Sequence, residues 1–370
     1  MKTNQSSFYI PASLVFAATV GAGVFSLPYA FAVAGWGTGL LLLLVLSTVV
    51  VAAHVWYLRV LEAVPADQGL LGLVRAYLGT PFFYVGSLSL VGGLLLAACA
   101  HIILATAFLA VLMPSMPPAA AAFFFWVCAS VPLLLRLKRV VKLEVWAVLI
   151  MMLCVVLAFA ASAVNGFVNI SFFSGHDTFF PFGPILFSLA GWTAIEPIAA
   201  WMRRSGTTVS RAVRGVAAGT FVASLLYLVL IAGVAGAPGA ISQDTISGLA
   251  NWAPWKQVLV SIFGLFAVWA SYLPASLEVE NALRRDLGRS ARFSTAFVLL
   301  MPLLLVFAGA DVFIIVVGVA GGILLSMEYG LILLLAKKVL HLRGKALYAW
   351  WAVFGVFCIA AVTTFWRLVF

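Results

Sequence analysis

The chain has 370 residues, of which 65% are hydrophobic and only 9% are charged. Soluble domains carry about 25% charged residues, so this composition excludes a soluble protein and indicates one embedded in the lipid bilayer. The net charge of +10 is arranged as in a membrane protein, so no nucleic acid is expected as a partner. The four cysteines are isolated in apolar segments, and neither a metal site nor a cofactor is predicted.

A spanning helix needs about 20 predominantly apolar residues, and the sequence predicts eleven such spans. They lie near 8–33, 37–61, 82–112, 119–135, 143–164, 179–202, 215–236, 256–280, 293–308, 311–336 and 347–368. The stretch 66–80 is too short to span and is predicted to be an amphipathic helix on the cytoplasmic interface. The resulting fold class is an all-α membrane protein.

The basic residues sort between alternate loops of this plan. Of the 21 lysines and arginines, all but Lys256 and Arg367 fall on the side of the N-terminus. Because basic loops stay cytoplasmic, the N-terminus is predicted to be cytoplasmic and the C-terminus outside. The expected location is the inner or plasma membrane.

The first span is interrupted near its middle. Gly21 and Gly23 weaken a helix there, and Pro28 cannot donate to the carbonyl of Val24. Within a bilayer, backbone groups released in this way survive only where protein buries them or where they line a wet cavity. Secondary transporters build their substrate sites from such broken helices, so the first span points to transport.

The sixth span carries a matching interruption, with Gly191 near its centre and Pro197 after it. Two breaks at equivalent positions predict two inverted five-span repeats, 8–164 and 179–336, within a single transporter domain. The helix 347–368 is then an addition. A packing kink is the alternative for either break alone, and the glycine pair Gly215 and Gly219 is predicted to let helices approach closely.

Two motifs resemble a known superfamily. The stretch Val20-Gly-Ala-Gly-Val-Phe-Ser-Leu-Pro-Tyr-Ala-Phe31 resembles the first span of the amino acid/auxin permeases, whose pattern is G-x-G-(I/V)-x-x-L-P-(Y/W)-A. Leu186-Phe-Ser-Leu-Ala-Gly-Trp-Thr-Ala-Ile-Glu-Pro197 resembles the sixth span of the amino acid–polyamine–organocation superfamily. Ala270-Ser-Tyr-Leu-Pro274 is similar to the eighth span of the related aromatic amino acid permeases.

This resemblance implies the leucine-transporter fold of ten core helices and cation-coupled import of an amino acid. It implies that Gly21–Phe25 hold the substrate carboxylate and that Ser188–Thr193 help to bind the ammonium, with Trp192 as an aromatic gate. Sodium-coupled members commonly have an asparagine where this chain has Ala17, which favours protons over sodium.

The residues themselves suggest how a zwitterion would bind. A helix that begins near Ser26 would offer free N–H groups to a carboxylate, and the carbonyls of Val24 and Thr193 would suit an ammonium. Aromatic side chains favour a neutral, hydrophobic or aromatic substrate, with packing in the core or against lipid as the alternative for each ring. The full predicted substrate site is Gly21, Ala22, Gly23, Val24, Phe25, Ser26, Phe187, Ser188, Gly191, Trp192, Thr193 and Tyr272.

Ionisable residues inside spans are candidates for cation coupling. Glu196, directly after the second break, is the first candidate, with a helix-capping carboxylate as the alternative. His101 is a proton relay or a histidine bonded to a carbonyl, and Glu328 is a further candidate. Thr19 and Ser271 lie where a second cation site of the fold would be. Glu278 and Glu280 are expected to pair with Arg284 or Arg285 instead.

No catalytic constellation is present in the sequence, so an enzyme is not predicted. We expect a secondary transporter that imports a neutral amino acid by proton symport. An amino acid exchanger, a sodium symporter and a non-transporting sensor on the same fold remain open at this point.

Overall fold

The computed structural model describes residues 2–65, 68–134, 175–236 and 241–370, and no strand occurs within these ranges. The predicted fifth span, 143–164, lies outside the described residues.

The first span is broken, as its glycines predict. Helix α1 (Lys2–Thr19) is followed by a 3₁₀ turn (Ala22–Ser26) and helix α2 (Leu27–Ala34), with a bend of 52° between the two parts. Pro28 lies in the first turn of α2, where a missing N–H does not matter.

One detail of the first break differs from the prediction. The carbonyl of Val24 accepts a hydrogen bond from the N–H of Leu27 and is therefore not left unpaired. The chain continues as a 3₁₀ turn, whose shorter i to i+3 bond uses that carbonyl, while a role toward an ammonium stays a prediction.

The rest of the first half is formed by long apolar helices. These are α3 (Trp36–Ala63), α4 (Leu70–Tyr77), α5 (Thr80–Leu112) and α6 (Pro118–Leu134). The short helix α4 confirms the predicted non-spanning helix at 66–80 and buries its leucines, while its position on a membrane interface stays a prediction.

The sixth span is also broken. Helix α7 (Phe182–Ser188) ends before a short 3₁₀ turn (Trp192–Ala194), and helix α8 (Ile195–Ser205) continues from it. Gly206 ends α8 in the left-handed conformation, with φ of 66°, as glycine commonly does at helix ends.

The second half continues with four further segments. They are α9 (Val209–Ala235), α10 (Pro254–Asn281) with a π-helical turn (Ala282–Asp286), α11 (Ala291–Phe307), and α12 (Phe313–Gly318), which passes through a second π-helical turn (Val319–Leu325) into α13 (Ser326–Val339). Helix α14 (Lys345–Val369) follows and is the least buried of the long helices.

The described ranges do not confirm the predicted count of eleven spans. Within the described ranges, seven helices are long and apolar enough to cross a membrane, and eight if the bent first pair is one span. Helices α6 and α11 are apolar but shorter. The count of eleven is therefore not confirmed, whereas the all-helical class is.

The glycine pair on α9 packs against α1 as expected. A Cβ at Gly215 would lie 2.6 Å from the carbonyl oxygen of Phe8, and Gly219 contacts the backbone of Ala12. The two backbones touch, so larger side chains would separate α1 from α9. Outward-facing leucines such as Leu41, at 60% exposed, cover the perimeter that lipid would contact.

Candidate functional site

The two breaks lie against each other. A Cβ at Gly23 would lie 2.7 Å from Ser188 Oγ and 2.8 Å from Phe187 Cδ1, and Gly191 contacts the hydroxyl of Thr19. Glycine is required at Gly23 because the opposing backbone leaves no room for a side chain. The sequence therefore brings its two interrupted helices to one place.

A buried phenol links both breaks. Tyr227 on α9 directs its hydroxyl to the carbonyl oxygen of Thr19 at 2.8 Å and to that of Ser188 at 2.6 Å. These carbonyls are the last of α1 and α7, groups that a helix leaves without an intrahelical donor. One side chain thus bridges the ends of the two first half-helices.

A cavity of about 320 Å³ opens beside the breaks. Its wall is formed by α1 and the first break, by the second break, and by faces of α5, α10 and α13 with the preceding π-helical turn. The lining residues are Leu14, Ala17, Ala18, Thr19, Gly21, Ala22, Gly23, Gly93, Leu94, Ala97, His101, Phe187, Ala190, Trp192, Thr193, Ala194, Pro197, Ser271, Pro274, Ala275, Glu278, Ala320, Leu325 and Glu328.

The cavity brings many predicted site residues together. It includes Thr19, Gly21, Ala22, Gly23, His101, Phe187, Trp192, Thr193, Ser271 and Glu328. The predicted residues that do not line it are Val24, Phe25, Ser26, Ser188, Gly191, Glu196 and Tyr272. The wall therefore includes residues of both breaks, but only those on one face of each.

Phe25 and Tyr272 are packed behind the wall. Phe25 is fully buried and meets Phe108 edge-on, with ring centroids 5.2 Å apart. Tyr272 is fully buried against Phe125 and His101. Neither ring faces the cavity. Side chains point in different directions around a helix axis, and the sequence does not say which of these directions faces a cavity.

Two carboxyl groups face the cavity. Glu328 is 2% exposed, and a Cβ at Gly93 would lie 3.0 Å from its Oε1. Glu278 also lines the wall, so it is a site residue that the expectation of a pairing with arginine overlooked. Its spacing from Ser271 and Pro274, seven and four residues, places all three on one helix face and could have revealed it.

The pairing expected for Glu280 is observed. Its carboxylate lies 3.5 Å from Arg284 and accepts a hydrogen bond from Thr295 at 2.9 Å. Glu280 therefore ties α10 to α11 outside the cavity.

Glu196 has a different environment from the other carboxyls. Its Oε1 accepts from the Tyr57 hydroxyl at 2.8 Å and from the backbone N–H of Leu70 at 2.9 Å. Arg285 lies 4.0 Å from its Oε2. Glu196 thus joins α8 to α3, α4 and the turn after α10, and does not line the cavity.

His101 shows the carbonyl-bonded alternative, and its role as a proton relay stays a prediction. Its Nδ1 bonds the carbonyl of Ala97 on its own helix, and the same ring lines the cavity. Ser271 also lies at the cavity wall, where its hydroxyl donates to the carbonyl of Val20 at 3.5 Å. The Thr19 hydroxyl has no hydrogen-bond partner among the described residues.

A cavity between two broken apolar helices defines a helical membrane transporter, and solved transporters share this fold. A mutant of the manganese transporter of Eremococcus coleocola aligns with a TM-score of 0.73 at 12% identity, over 97% of this chain and 86% of that chain. MhsT in complex with L-phenylalanine aligns with a TM-score of 0.61 at 15% identity, over 97% of each chain. These structures confirm the predicted leucine-transporter-like fold.

The sequence pattern of the tryptophan/tyrosine permease family matches residues 4–368, and the protein belongs to this family. No curated protein matches the sequence. The protein is accordingly a transporter. Of the two branches that the motifs resemble, the aromatic one is confirmed and the amino acid/auxin permease branch is not.

Proposed function

We propose that this protein imports a neutral aromatic amino acid together with a proton by alternating access. The observation that carries the proposal is the cavity formed where the two breaks meet. The family to which the chain belongs supports an aromatic substrate.

The cavity is suited to a single amino acid. Its volume of about 320 Å³ is near the lower end for small-molecule sites, about 300–1,000 Å³. Backbone at Gly21–Gly23 and at Ala190, Trp192 and Thr193 supplies polar groups for the ammonium and carboxylate. The rings of Phe187 and Trp192 supply an apolar surface for the substrate side chain.

Glu328 and Glu278 are the groups that we propose carry the coupled proton. Both face the cavity from inside membrane spans, where ionisable residues are costly unless function requires them. We prefer them to Glu196, whose Oε1 already accepts two hydrogen bonds. The methyl side chain of Ala17, which also lines the cavity, offers no oxygen or nitrogen to a sodium ion.

The topology is part of the proposal. The basic loops support a cytoplasmic N-terminus and a C-terminus outside an inner or plasma membrane. The repeats 8–164 and 179–336 rock against each other around the cavity, and the helix 347–368 is added to them.

The test is uptake of radiolabelled aromatic amino acids into proteoliposomes, under an imposed proton gradient and then under a sodium gradient. We expect the proton gradient to drive uptake. We also expect Glu328→Gln or Glu278→Gln to abolish this response while preloaded substrate still exchanges across the membrane. The matched control is Glu62→Gln, which changes an exposed carboxylate at the end of α3.

Other results would contradict the proposal in distinct ways. Uptake driven only by sodium would overturn the proposed coupling to protons. Uptake that only preloaded amino acid stimulates would identify an exchanger. Binding without any uptake would identify a sensor.

A further inference from the structure

We propose that His101 selects substrates by accepting a hydrogen bond from the ring of the amino acid, which favours indole and phenol side chains over phenyl. This inference rests on the proposed function and adds a specificity-determining residue to it. Four observations on His101 carry it: its tautomer, its unpaired nitrogen, its position along α5 and its distance from the carboxyl pair.

The tautomer follows from the contact of Nδ1. This nitrogen bonds the carbonyl of Ala97, and a carbonyl oxygen can only accept, so Nδ1 carries the hydrogen. Among the described residues no carboxylate lies within ion-pair distance of His101, and an unpaired charge inside a span is costly. The imidazole is therefore neutral, and Nε2 presents a lone pair.

That lone pair has no partner within the described part of the chain. His101 is only 5% exposed, and its Nε2 is buried without a hydrogen bond. The neighbouring Tyr272 ring meets the imidazole edge-on at 6.4 Å between centroids and makes no hydrogen bond to it. An unsatisfied buried polar atom is costly, so binding of a ligand that supplies a donor is favoured.

His101 stands at the level of the first break. Gly21 lies against Ser271, where an added Cβ would be 3.1 Å from the hydroxyl oxygen, and the next residue, Tyr272, packs on the imidazole. A substrate whose main chain is held at this break therefore has its side chain within reach of α5. Phe187 and Trp192 line the same cavity, and His101 is the imidazole among its lining residues.

The imidazole is separate from the carboxyl pair. Gly93, Ala97 and His101 follow one another at four-residue spacing on the lining face of α5. Gly93 lies against Glu328, and eight residues of helix place His101 about 12 Å further along. Recognition of the substrate ring at His101 is thus spatially distinct from proton coupling at Glu328.

The chemistry of Nε2 determines which rings it favours. The indole N–H of tryptophan and the hydroxyl of tyrosine are donors, whereas the phenyl ring of phenylalanine has none. A site built to bond a substrate group rejects an analogue that lacks it, because its own polar atom is then left unpaired. We expect wild-type protein to favour tryptophan over a donor-free isostere by roughly tenfold or more.

The first arm of the experiment needs no variant. Uptake of labelled tryptophan by wild-type proteoliposomes is competed with tryptophan, with 3-benzothienylalanine, in which sulfur replaces the indole N–H, and with phenylalanine. Tyrosine is compared in the same way with O-methyltyrosine, which keeps the oxygen but has no donor. Equal inhibition within each pair would overturn the proposal.

The second arm uses two variants at one position. In His101→Leu the acceptor is gone, and we expect the preference for tryptophan over 3-benzothienylalanine to fall to about twofold or less while phenylalanine uptake persists. In His101→Gln an amide oxygen is available near the position of Nε2, and part of the preference should return. Retained phenylalanine uptake shows that each variant is folded.

Two results would separate the failures. If His101→Leu weakened every competitor equally, Nε2 would bind the ammonium common to all of them, and the ring-reading role would be wrong. If wild-type protein transported none of these amino acids under any gradient, the proposed function itself would fail.

Discussion

Two sets of contacts near the cavity differ in kind. Beyond Gly23, the chain is held by packing, with Phe25 against Phe108 and a hydroxyl of Thr245 on the Phe25 carbonyl at 2.5 Å. After the second break, Glu196 joins α8 to α3 and α4 through hydrogen bonds and lies near Arg285. We call these the packed end and the polar end.

This difference has consequences for how each end would open. The packed end depends on shape, because dispersion contacts are lost over fractions of an ångström and are insensitive to salt. The polar end depends on a few directed bonds that water can replace when they separate. Substitutions that alter volume should therefore act at the packed end, and substitutions that alter charge should act at the polar end.

The largest effect is expected for Gly264→Val at the packed end. A side chain at Gly264 would overlap the ring of Phe108, which in turn contacts Phe25. Overpacking costs about 1–3 kcal/mol or more, so uptake should be nearly lost and the melting temperature should fall by several degrees. Gly355→Val is the control, because nothing lies within 4 Å of that position. Equal effects of both substitutions would show that the packed end is not special.

A substantial effect is expected for Glu196→Ala at the polar end. It would leave the fully buried Tyr57 hydroxyl and the Leu70 amide without their acceptor, at about 1–3 kcal/mol. Hydrogen exchange should become faster in a peptide that covers α4, measured by mass spectrometry. Glu196→Gln keeps an acceptor oxygen and should exchange more slowly than Glu196→Ala. Unchanged exchange in both variants would contradict the role of Glu196 in holding α4.

A smaller effect is expected for Thr245→Val at the packed end. Thr245 has φ of 63°, which is unfavourable for any branched side chain, so valine keeps the backbone strain and removes only the hydroxyl. The loss of its hydrogen bond to the Phe25 carbonyl should lower stability by about 1 kcal/mol. Thermal unfolding in detergent measures this, with Thr245→Ser as the variant that keeps the bond. A melting temperature equal to that of wild type would exclude a contribution from the hydroxyl.

The smallest effect is expected for Arg285→Gln at the polar end. The guanidinium is 44% exposed and 4.0 Å from Glu196, and exposed pairs contribute about 0.2–1 kcal/mol. The uptake rate should change by less than about fivefold, and the difference from wild type should shrink as salt is raised. A large effect that salt does not alter would place Arg285 in the transport step itself.

The sequence predicted the architecture well because glycine and proline report on backbone conformation. Gly21, Gly23 and Gly191, together with the prolines that follow them, located both breaks. Which individual residues face the cavity is harder to predict from the sequence. Glu278 and Ala97 line it, whereas Phe25 and Tyr272 do not, since rotation about the helix axis is set by tertiary packing.

The π-helical turn at Val319–Leu325 could not be predicted either. It inserts where Gly321 meets the backbone of Gly183, and it brings Ala320 and Leu325 to the cavity. Such turns arise from contacts with neighbouring elements and carry no periodic signal of their own. The apolar pattern of this region only indicated a spanning helix.

The single hydroxyl of Tyr227 has only one proton for the two carbonyls that it contacts, those of Thr19 and Ser188. If α1 and α7 separate, the Tyr227 hydroxyl can keep donating to one of the two carbonyls, so it does not lose its hydrogen bond. Only one acceptor has to find a new donor, such as water entering the gap. The hydroxyl therefore holds the two half-helices in register at rest but adds little to the activation barrier for separating them. Tyr227→Phe should accordingly affect the alignment of the breaks more than the speed of their motion.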